Sequence, residues 1–121
     1  MDCKIVKNSD RIYLDFFDSK IDITEDKIKI IKENQYVGKE ILLGIRPESV
    51  LIDDSNEGIL AKVEVTEMLG SETYLYLNAN GNNIIARVDP SIKASVGEEI
   101  RIKFITDKIH IFDRESEKAI F

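Results

Sequence analysis

Thr73-Tyr74-Leu75-Tyr76-Leu77-Asn78-Ala79-Asn80-Gly81-Asn82-Asn83-Ile84-Ile85-Ala86-Arg87-Val88 is the stretch from which the fold of this chain can be read. Thr73, Leu75 and Leu77 alternate with Tyr74 and Tyr76, the period of two expected of a strand with one buried face. Asn80-Gly81 then supplies the two residues that tolerate positive φ in a type I′ turn, the strongest short-range hairpin signal. The spacing therefore predicts two antiparallel strands joined by a tight turn.

Working outward, the same pattern repeats on both sides. Upstream, Ile59 to Met68 places Ala61, Val63 and Val65 on one face and Lys62, Glu64 and Thr66 on the other, before Leu69-Gly70-Ser71 breaks the run. Downstream, Ser95-Val96-Gly97 leads into Glu98–Ile105, where Ile100, Ile102 and Phe104 share a face. Lys108–Phe112 reads as a short last strand, and Ala119–Phe121 offers a further terminal one. Glu40–Ile45 is continuously apolar, as a strand covered on both faces would be. Pro47 forces Arg46 into an extended conformation and stops that strand.

The first quarter of the chain reads as short strands at Lys4–Lys7, Arg11–Phe16 and Ser19–Ile23, with a turn at Asn8-Ser9-Asp10 and with Ile21 and Ile23 pointing one way. Thr24 is a good N-cap, and Glu25 and Asp26 set negative charge against the positive end of a helix dipole. Ile28 and Ile31 mark one face of a helix of about three turns, with Asn34 and Gly38 as stop signals. Short strands, tight turns and no βαβ alternation predict a mainly β fold. The expected architecture is an OB-like antiparallel β-barrel, closed to remove hazardous edges, carrying one short helix in an N-terminal strand-helix extension. The acidic loop Asp53–Gly58 is the compositional candidate for a boundary between a small N-terminal part and the rest.

Bulk properties narrow the function. The 121 residues make about one domain, 43% of them hydrophobic. The net charge is −6, from 23 acids and 17 bases interspersed along the chain, which opposes a nucleic-acid partner or an anionic membrane surface. There is no apolar run of the roughly 18 residues a transmembrane helix needs. The N-terminus lacks the pattern of a secretory signal, and a single cysteine, Cys3, forms no internal disulfide, so a reducing cytoplasm is expected. No Gly-x-x-x-x-Gly-Lys-Ser/Thr phosphate loop occurs anywhere, so an ATP-binding role is not expected of this chain.

The polar constellations have plain structural readings. In Gly44-Ile45-Arg46-Pro47-Glu48, glycine permits close backbone approach, proline fixes a turn, and Arg46 and Glu48 are a candidate surface ion pair. Leu69-Gly70-Ser71-Glu72 is a turn between strands. Its Ser71-Glu72 pair lacks the neighbouring base that nucleophilic catalysis requires, since the only histidine, His110, is far along the chain. His110 lies between Ile109 and Ile111, points opposite to them, and is expected to be a hydrogen-bonded structural histidine. With no second histidine or cysteine pair, zinc is not expected. The Asp53–Glu57 carboxylates lack calcium-loop spacing. Tyr74 and Tyr76 are expected to be half-buried strand aromatics, the alternative being a stacking platform for sugars or bases.

Three phrases in order carry a family resemblance: Gly44–Val50, Glu67–Leu77 and Lys108–Asp113, supported by Val37–Ile41 and by Ala86-Arg87-Val88 before the Gly97 turn. Together they resemble the C-terminal regulatory domain, of the transport-associated OB type, of ATP-binding subunits from carbohydrate-importing ABC transporters. The resemblance implies a division into residues 1–43, strands plus helix, and residues 44–121, the barrel. It implies family-motif roles, structural or regulatory, for Gly44, Arg46, Pro47, Glu48, Gly70, Ser71, Glu72, His110 and Asp113. Asp113, Glu115 and Ser116 match the family's ending, but Glu117 stands where glycine is expected, so the terminal turn is expected to differ. Met1-Asp2-Cys3 departs from the usual Met-Asn-Phe beginning.

No catalytic, metal or cofactor site is implied in this chain. ATP and Mg would belong to a nucleotide-binding domain of the parent chain, which would be the transport ATPase. The implied partners are a second copy of the subunit, that nucleotide-binding domain, the membrane permease subunits indirectly, and a regulatory protein. The implied location is the cytoplasmic face of the cell membrane. The rival reading is a stand-alone OB-type sensor of a small ligand or oxyanion.

Overall fold

The computed structural model describes residues 1–16 and 19–121. Among these, the strands form two antiparallel five-stranded sheets, and the chain divides into two compact units, residues 1–44 with 106–121 and residues 45–105. The mainly β, OB-like class expected from the alternating pattern is what the chain adopts.

In the first unit, β1 (Asp2–Asn8), β2 (Arg11–Phe16) and β3 (Ser19–Asp22) form a meander, followed by α1 (Glu25–Glu33) and β4 (Glu40–Gly44). The last strand, β10 (His110–Asp113), completes the sheet in the order β10-β4-β1-β2-β3. Side chains of one face make the core: Ile5 opposes Leu14, Leu14 opposes Ile21, Cys3 opposes Ile41, and Leu43 opposes Ile111. All of them are buried. Burial pushes the Cys3 thiol up to about 12, so the reactive thiolate is suppressed.

Thr24 adopts the extended backbone of an N-cap, but its hydroxyl does not cap the first turn. Ile31 is fully buried, and Asn34 closes α1 with its side-chain amide on the Ile30 carbonyl at 2.8 Å. The left-handed residue that stops the helix is Gln35, at φ 59°, rather than Gly38. Gly38, at φ 84°, instead lets its N–H donate to the Ile5 carbonyl at 2.8 Å, bringing the chain back alongside β1.

The far edge of β10 is covered by the chain's own last residues. Ile120 N–H donates to the Ile111 carbonyl at 2.8 Å, Asp113 N–H to the Lys118 carbonyl at 2.8 Å, and Phe112 bridges Ala119. The expected terminal strand is thus a short antiparallel return that protects an edge.

In the second unit, β5 (Val50–Ile52), β6 (Ile59–Met68), β7 (Thr73–Ala79), β8 (Asn82–Val88) and β9 (Glu99–Phe104) take the order β5-β9-β6-β7-β8. Its two edge strands, β5 and β8, lie against each other, so the sheet curls into a nearly closed barrel. Asn80 and Gly81 have φ 52° and 84°, the paired positive values the Asn-Gly dipeptide predicts.

Three expectations are corrected here. Val65 does not share a face with Ala61 and Val63: a β-bulge between Val63 and Val65 shifts the register, so Val65 turns outward and is 51% exposed. The compositional boundary at residues 53–58 is also displaced, because β5 and β6, on either side of that loop, both pair with β9. Likewise β10, inside the 44–121 barrel of the implied division, belongs to the first sheet, because it finds its hydrogen-bonding partner in β4 there.

Candidate functional site

The residues singled out by sequence fall at three places rather than one. The first phrase runs through the junction of the two units, since Gly44 ends the first and Ile45 begins the second. Gly44 closes β4 opposite His110, and a Cβ there would sit 3.0 Å from the Phe112 ring. Any larger residue here would crowd that ring, which would have to give by a few tenths of an ångström. Arg46 is extended at φ −81° and ψ 151°, and Pro47 opens a one-turn 3-10 helix, Pro47–Ser49, closed by Ser49 N–H on the Arg46 carbonyl at 2.9 Å. Arg46 and Glu48 are both exposed, and among the described residues no ion pair joins them. The phrase thus ends in one tight helical turn, with Ser49 buried and Arg46 and Glu48 left to solvent.

The second place is the β6–β7 turn. Gly70 has φ 87°, a left-handed value that glycine adopts freely, and Leu69 N–H donates to the Glu72 carbonyl at 2.9 Å. Ser71 is exposed at the tip. Glu72 reaches back over the outer face of the sheet, where Oε1 accepts from the Tyr74 hydroxyl at 3.4 Å and Oε2 meets Arg87 Nε at 3.4 Å. Tyr74 and Tyr76 are half-buried on that outer face, opposite Arg87 and Ile85.

The third place is the end of β10. His110 is exposed, and among the described residues its ring makes no hydrogen bond, so the expected hydrogen-bonded structural histidine is not found. Strand alternation explains this: Ile109 and Ile111 take the buried face and leave His110 in water. Asp113 does the structural work instead. Its Oδ1 accepts the backbone N–H groups of Glu115 and Ser116, both at 2.9 Å, and its Oδ2 accepts the Tyr36 hydroxyl at 2.7 Å. The backbone bond from Ser116 and then the Tyr36 bond hold its carboxyl at about 2. Tyr36, the donor, is correspondingly raised.

Arg114 beside it pairs with Glu40 and Asp2, fastening the C-terminal turn to β4 and β1. Tyr36, Lys39, Glu40, Asp113, Arg114 and Glu115 line an open cleft of about 380 Å³. Glu117 takes φ 60°, the left-handed value glycine would supply, and the turn closes with Glu117 N–H on the Asp113 carbonyl at 2.8 Å. The terminal turn therefore keeps a glycine-type backbone despite the glutamate.

Sequence reasoning missed Tyr36 and Arg114, which lie beyond any local pattern and reach Asp113 and Glu40 only through the folded sheet. Arg87 stood in a recognised phrase, but its pairing with Glu72 depends on the β7–β8 register. Ser71 and His110 fall in different units, and the described residues assemble no nucleophile beside a base. The chemistry available is hydrogen-bonding and ionic fastening of turns, together with a mixed apolar and charged outer face on β6–β8.

The TOBE domain family model matches residues 43–112, more than half of the chain. The chain belongs to the TOBE domain family. The oligosaccharides import ATP-binding protein MsmX of Bacillus subtilis is 38% identical over 104 residues, 81% of this chain and 28% of that protein. The trehalose/maltose import ATP-binding protein MalK of Thermococcus litoralis is 32% identical over 116 residues, 90% of this chain and 31% of that protein. The putative ABC transporter ATP-binding protein YcjV of Escherichia coli K12 is 37% identical over 102 residues, 84% of this chain and 28% of that protein. The chain thus spans less than a third of the length of these relatives. The matched parts of the sugar-import proteins are their C-terminal regions. The TOBE match covers all nine family-motif residues except Asp113.

Proposed function

We propose that this chain is the C-terminal regulatory and dimerisation domain of an ABC transporter ATP-binding subunit that energises import of a sugar or related solute. The observation that carries this is the TOBE match at residues 43–112, within a chain of which 81% and 90% align with two sugar-import ATP-binding proteins. The sequence itself holds no phosphate loop, so ATP and Mg would be bound, and ATP hydrolysed, by a nucleotide-binding domain of the parent chain. Among the described residues no helix is long and apolar enough to cross a membrane. On this reading the chain works at the cytoplasmic face, reaching the permease subunits only through the motor domains.

The proposed role is mechanical. Two motor domains tethered through their C-terminal domains stay at high effective concentration, so each nucleotide-driven closure costs less association entropy. Rigid turns suit that role: Asp113, Gly70 and Pro47 each fix a connection rather than present a reactive group. A regulatory protein would act by engaging or blocking the same module.

The test is the genomic reading frame upstream of Met1. A phosphate loop and an ABC signature in frame, about a domain length or two upstream, are the expected result. A stop codon directly before Met1 would overturn the transport reading and bring the stand-alone sensor forward.

A further inference from the structure

Asn80-Gly81 is the one Asn-Gly step in the sequence, and the fold sets it at the tip of the β7–β8 hairpin. Ala79 pairs with Asn82, so Asn80 and Gly81 are the whole of the loop. Both are exposed, and a Cβ built on Gly81 would meet nothing within 4 Å. Two side chains clamp this loop in different ways. Asn78 Oδ1 accepts the Gly81 N–H at 3.0 Å, and Asn82 Nδ2 donates to the Ala79 carbonyl at 3.2 Å.

An asparagine followed by glycine is open to attack by its own backbone. The Gly81 nitrogen, on losing its proton, adds to the Asn80 side-chain carbonyl carbon. The side-chain nitrogen leaves as ammonia, taking up a proton, and a five-membered succinimide remains. Water then opens either carbonyl of the ring, giving aspartate or isoaspartate at position 80. Glycine matters because it has no Cβ to shield its nitrogen. Every other asparagine of this chain precedes a residue that carries a side chain. We propose that Asn80-Gly81 is a site of spontaneous deamidation, and that the Asn78 side chain is the group that delays it. The proposal stands on the hairpin alone and does not depend on the transport reading.

The Asn78 bond acts on the nucleophile itself. It aims the Gly81 N–H at Oδ1, so the electron pair freed by deprotonation faces that oxygen and not the Asn80 side chain. The partial negative charge of the oxygen also disfavours an anionic nitrogen beside it. The reaction therefore waits for the hairpin tip to open, which is a local event and not global unfolding. The Asn82 clamp holds the loop closed but leaves the Gly81 nitrogen untouched. Conversion has a structural consequence. Isoaspartate puts an additional methylene into the backbone of a two-residue loop whose φ values of 52° and 84° set the register of β7 on β8. The pairing of the two strands should loosen, with a negative charge added at the tip.

Incubation of the 121-residue chain at physiological temperature and mildly alkaline pH, followed by peptide mapping in a mass spectrometer, tests this. Position 80 is expected to convert before any other asparagine, at a rate that rises with hydroxide because the Gly81 amide must deprotonate. The chain unfolded in urea should convert fastest. Asn78→Ala should speed conversion in the folded chain about fivefold, the fold-change that one typical hydrogen bond is worth. Asn78→Asp keeps an acceptor oxygen on the Gly81 N–H and should stay as slow as wild type. Asn82→Ala removes the other clamp and should speed conversion less than Asn78→Ala does. Circular dichroism checks that each variant keeps the fold. Converted chains, separated by their added charge, should show faster amide exchange in β7 and β8 than unconverted ones.

Another asparagine converting first in the folded chain overturns the site. So does an intact position 80 in folded Asn78→Ala after the unfolded chain has been converted. The role of Asn78 is overturned if Asn78→Ala leaves the rate unchanged, or if Asn82→Ala speeds it equally, since both would then act only through opening of the loop. Unchanged amide exchange in converted chains would overturn the loosening of the hairpin.

Discussion

The two units reach similar five-stranded sheets by opposite routes. The second is one uninterrupted run of chain, residues 45–105, in which two hairpins, β6–β7 and β7–β8, pair strands that are neighbours in sequence. The first is assembled from the beginning and end of the chain, and its β10–β4 pairing joins residues some seventy positions apart. Their fastenings differ accordingly. In the second unit, turns with positive φ at Gly70, Asn80 and Gly81 set the register locally. The first depends on long-range ties at its surface: Tyr36 to Asp113, Arg114 to Glu40 and Asp2, and Lys27 to the Asp107 carbonyl at 2.8 Å. A sheet closed by distant segments needs such ties because loop closure carries an entropic cost that local hairpins largely avoid.

The sharpest way to break this contrast is to delete residues 106–121. The first unit should lose its amide-exchange protection across residues 1–44, while residues 45–105 keep theirs; equal loss in both would show that the units fold as one. A core truncation comes next. Leu75→Ala, at a fully buried position of β7, should cost about 3 kcal/mol in chemical denaturation and should act first on protection in the second unit.

Gly44→Ala should cost about 1 kcal/mol, because the new methyl crowds the Phe112 ring, which must shift by a few tenths of an ångström. Substituting Phe112 by leucine in the same chain should relieve part of that cost, and no relief would show that the ring is not the obstacle.

Asp113 tests the long-range ties through pH. Its carboxyl titrates at about 2 in the folded chain against an ordinary 3.8. Its contribution is therefore fully present above the ordinary value and lost as pH falls through about 2. The melting temperature of Asp113→Asn should lie below wild type at neutral pH, and the gap should narrow between pH 4 and pH 2. A gap independent of pH would assign the effect to something other than the carboxylate. The smallest expected change is favourable: Glu117→Gly should stabilise by about 0.5–1 kcal/mol, since glycine adopts φ 60° without the steric cost a glutamate bears.

What could be read from sequence follows the same division. The alternation of Thr73–Leu77 against Tyr74 and Tyr76, and the Asn80-Gly81 turn, depend on interactions a few residues long, and the structure reproduces them. The helix start at Glu25 and its stop at Asn34 were legible for the same reason, although the left-handed residue after the stop is Gln35 and not Gly38, and nothing in a glutamine announces positive φ. Among the motif residues, Gly70 takes a positive φ of the kind its residue type allows, while what lies close to Gly44 is the Phe112 ring and not backbone. His110 does not, because a strand residue's partners are set by what its neighbours bury.

The sequence alone determined the mainly β class, the hairpins, the helix and the family phrases, since each rests on local periodicity, turn chemistry or a contiguous string. Only the tertiary structure decided that β4 and β10 complete the first sheet, that Tyr36 and Arg114 fasten the Asp113 turn, and that Val65 faces outward. Those outcomes turn on pairing across long loops and on a single-residue bulge. In a structure of period two, one inserted residue exchanges buried for exposed along the rest of the strand.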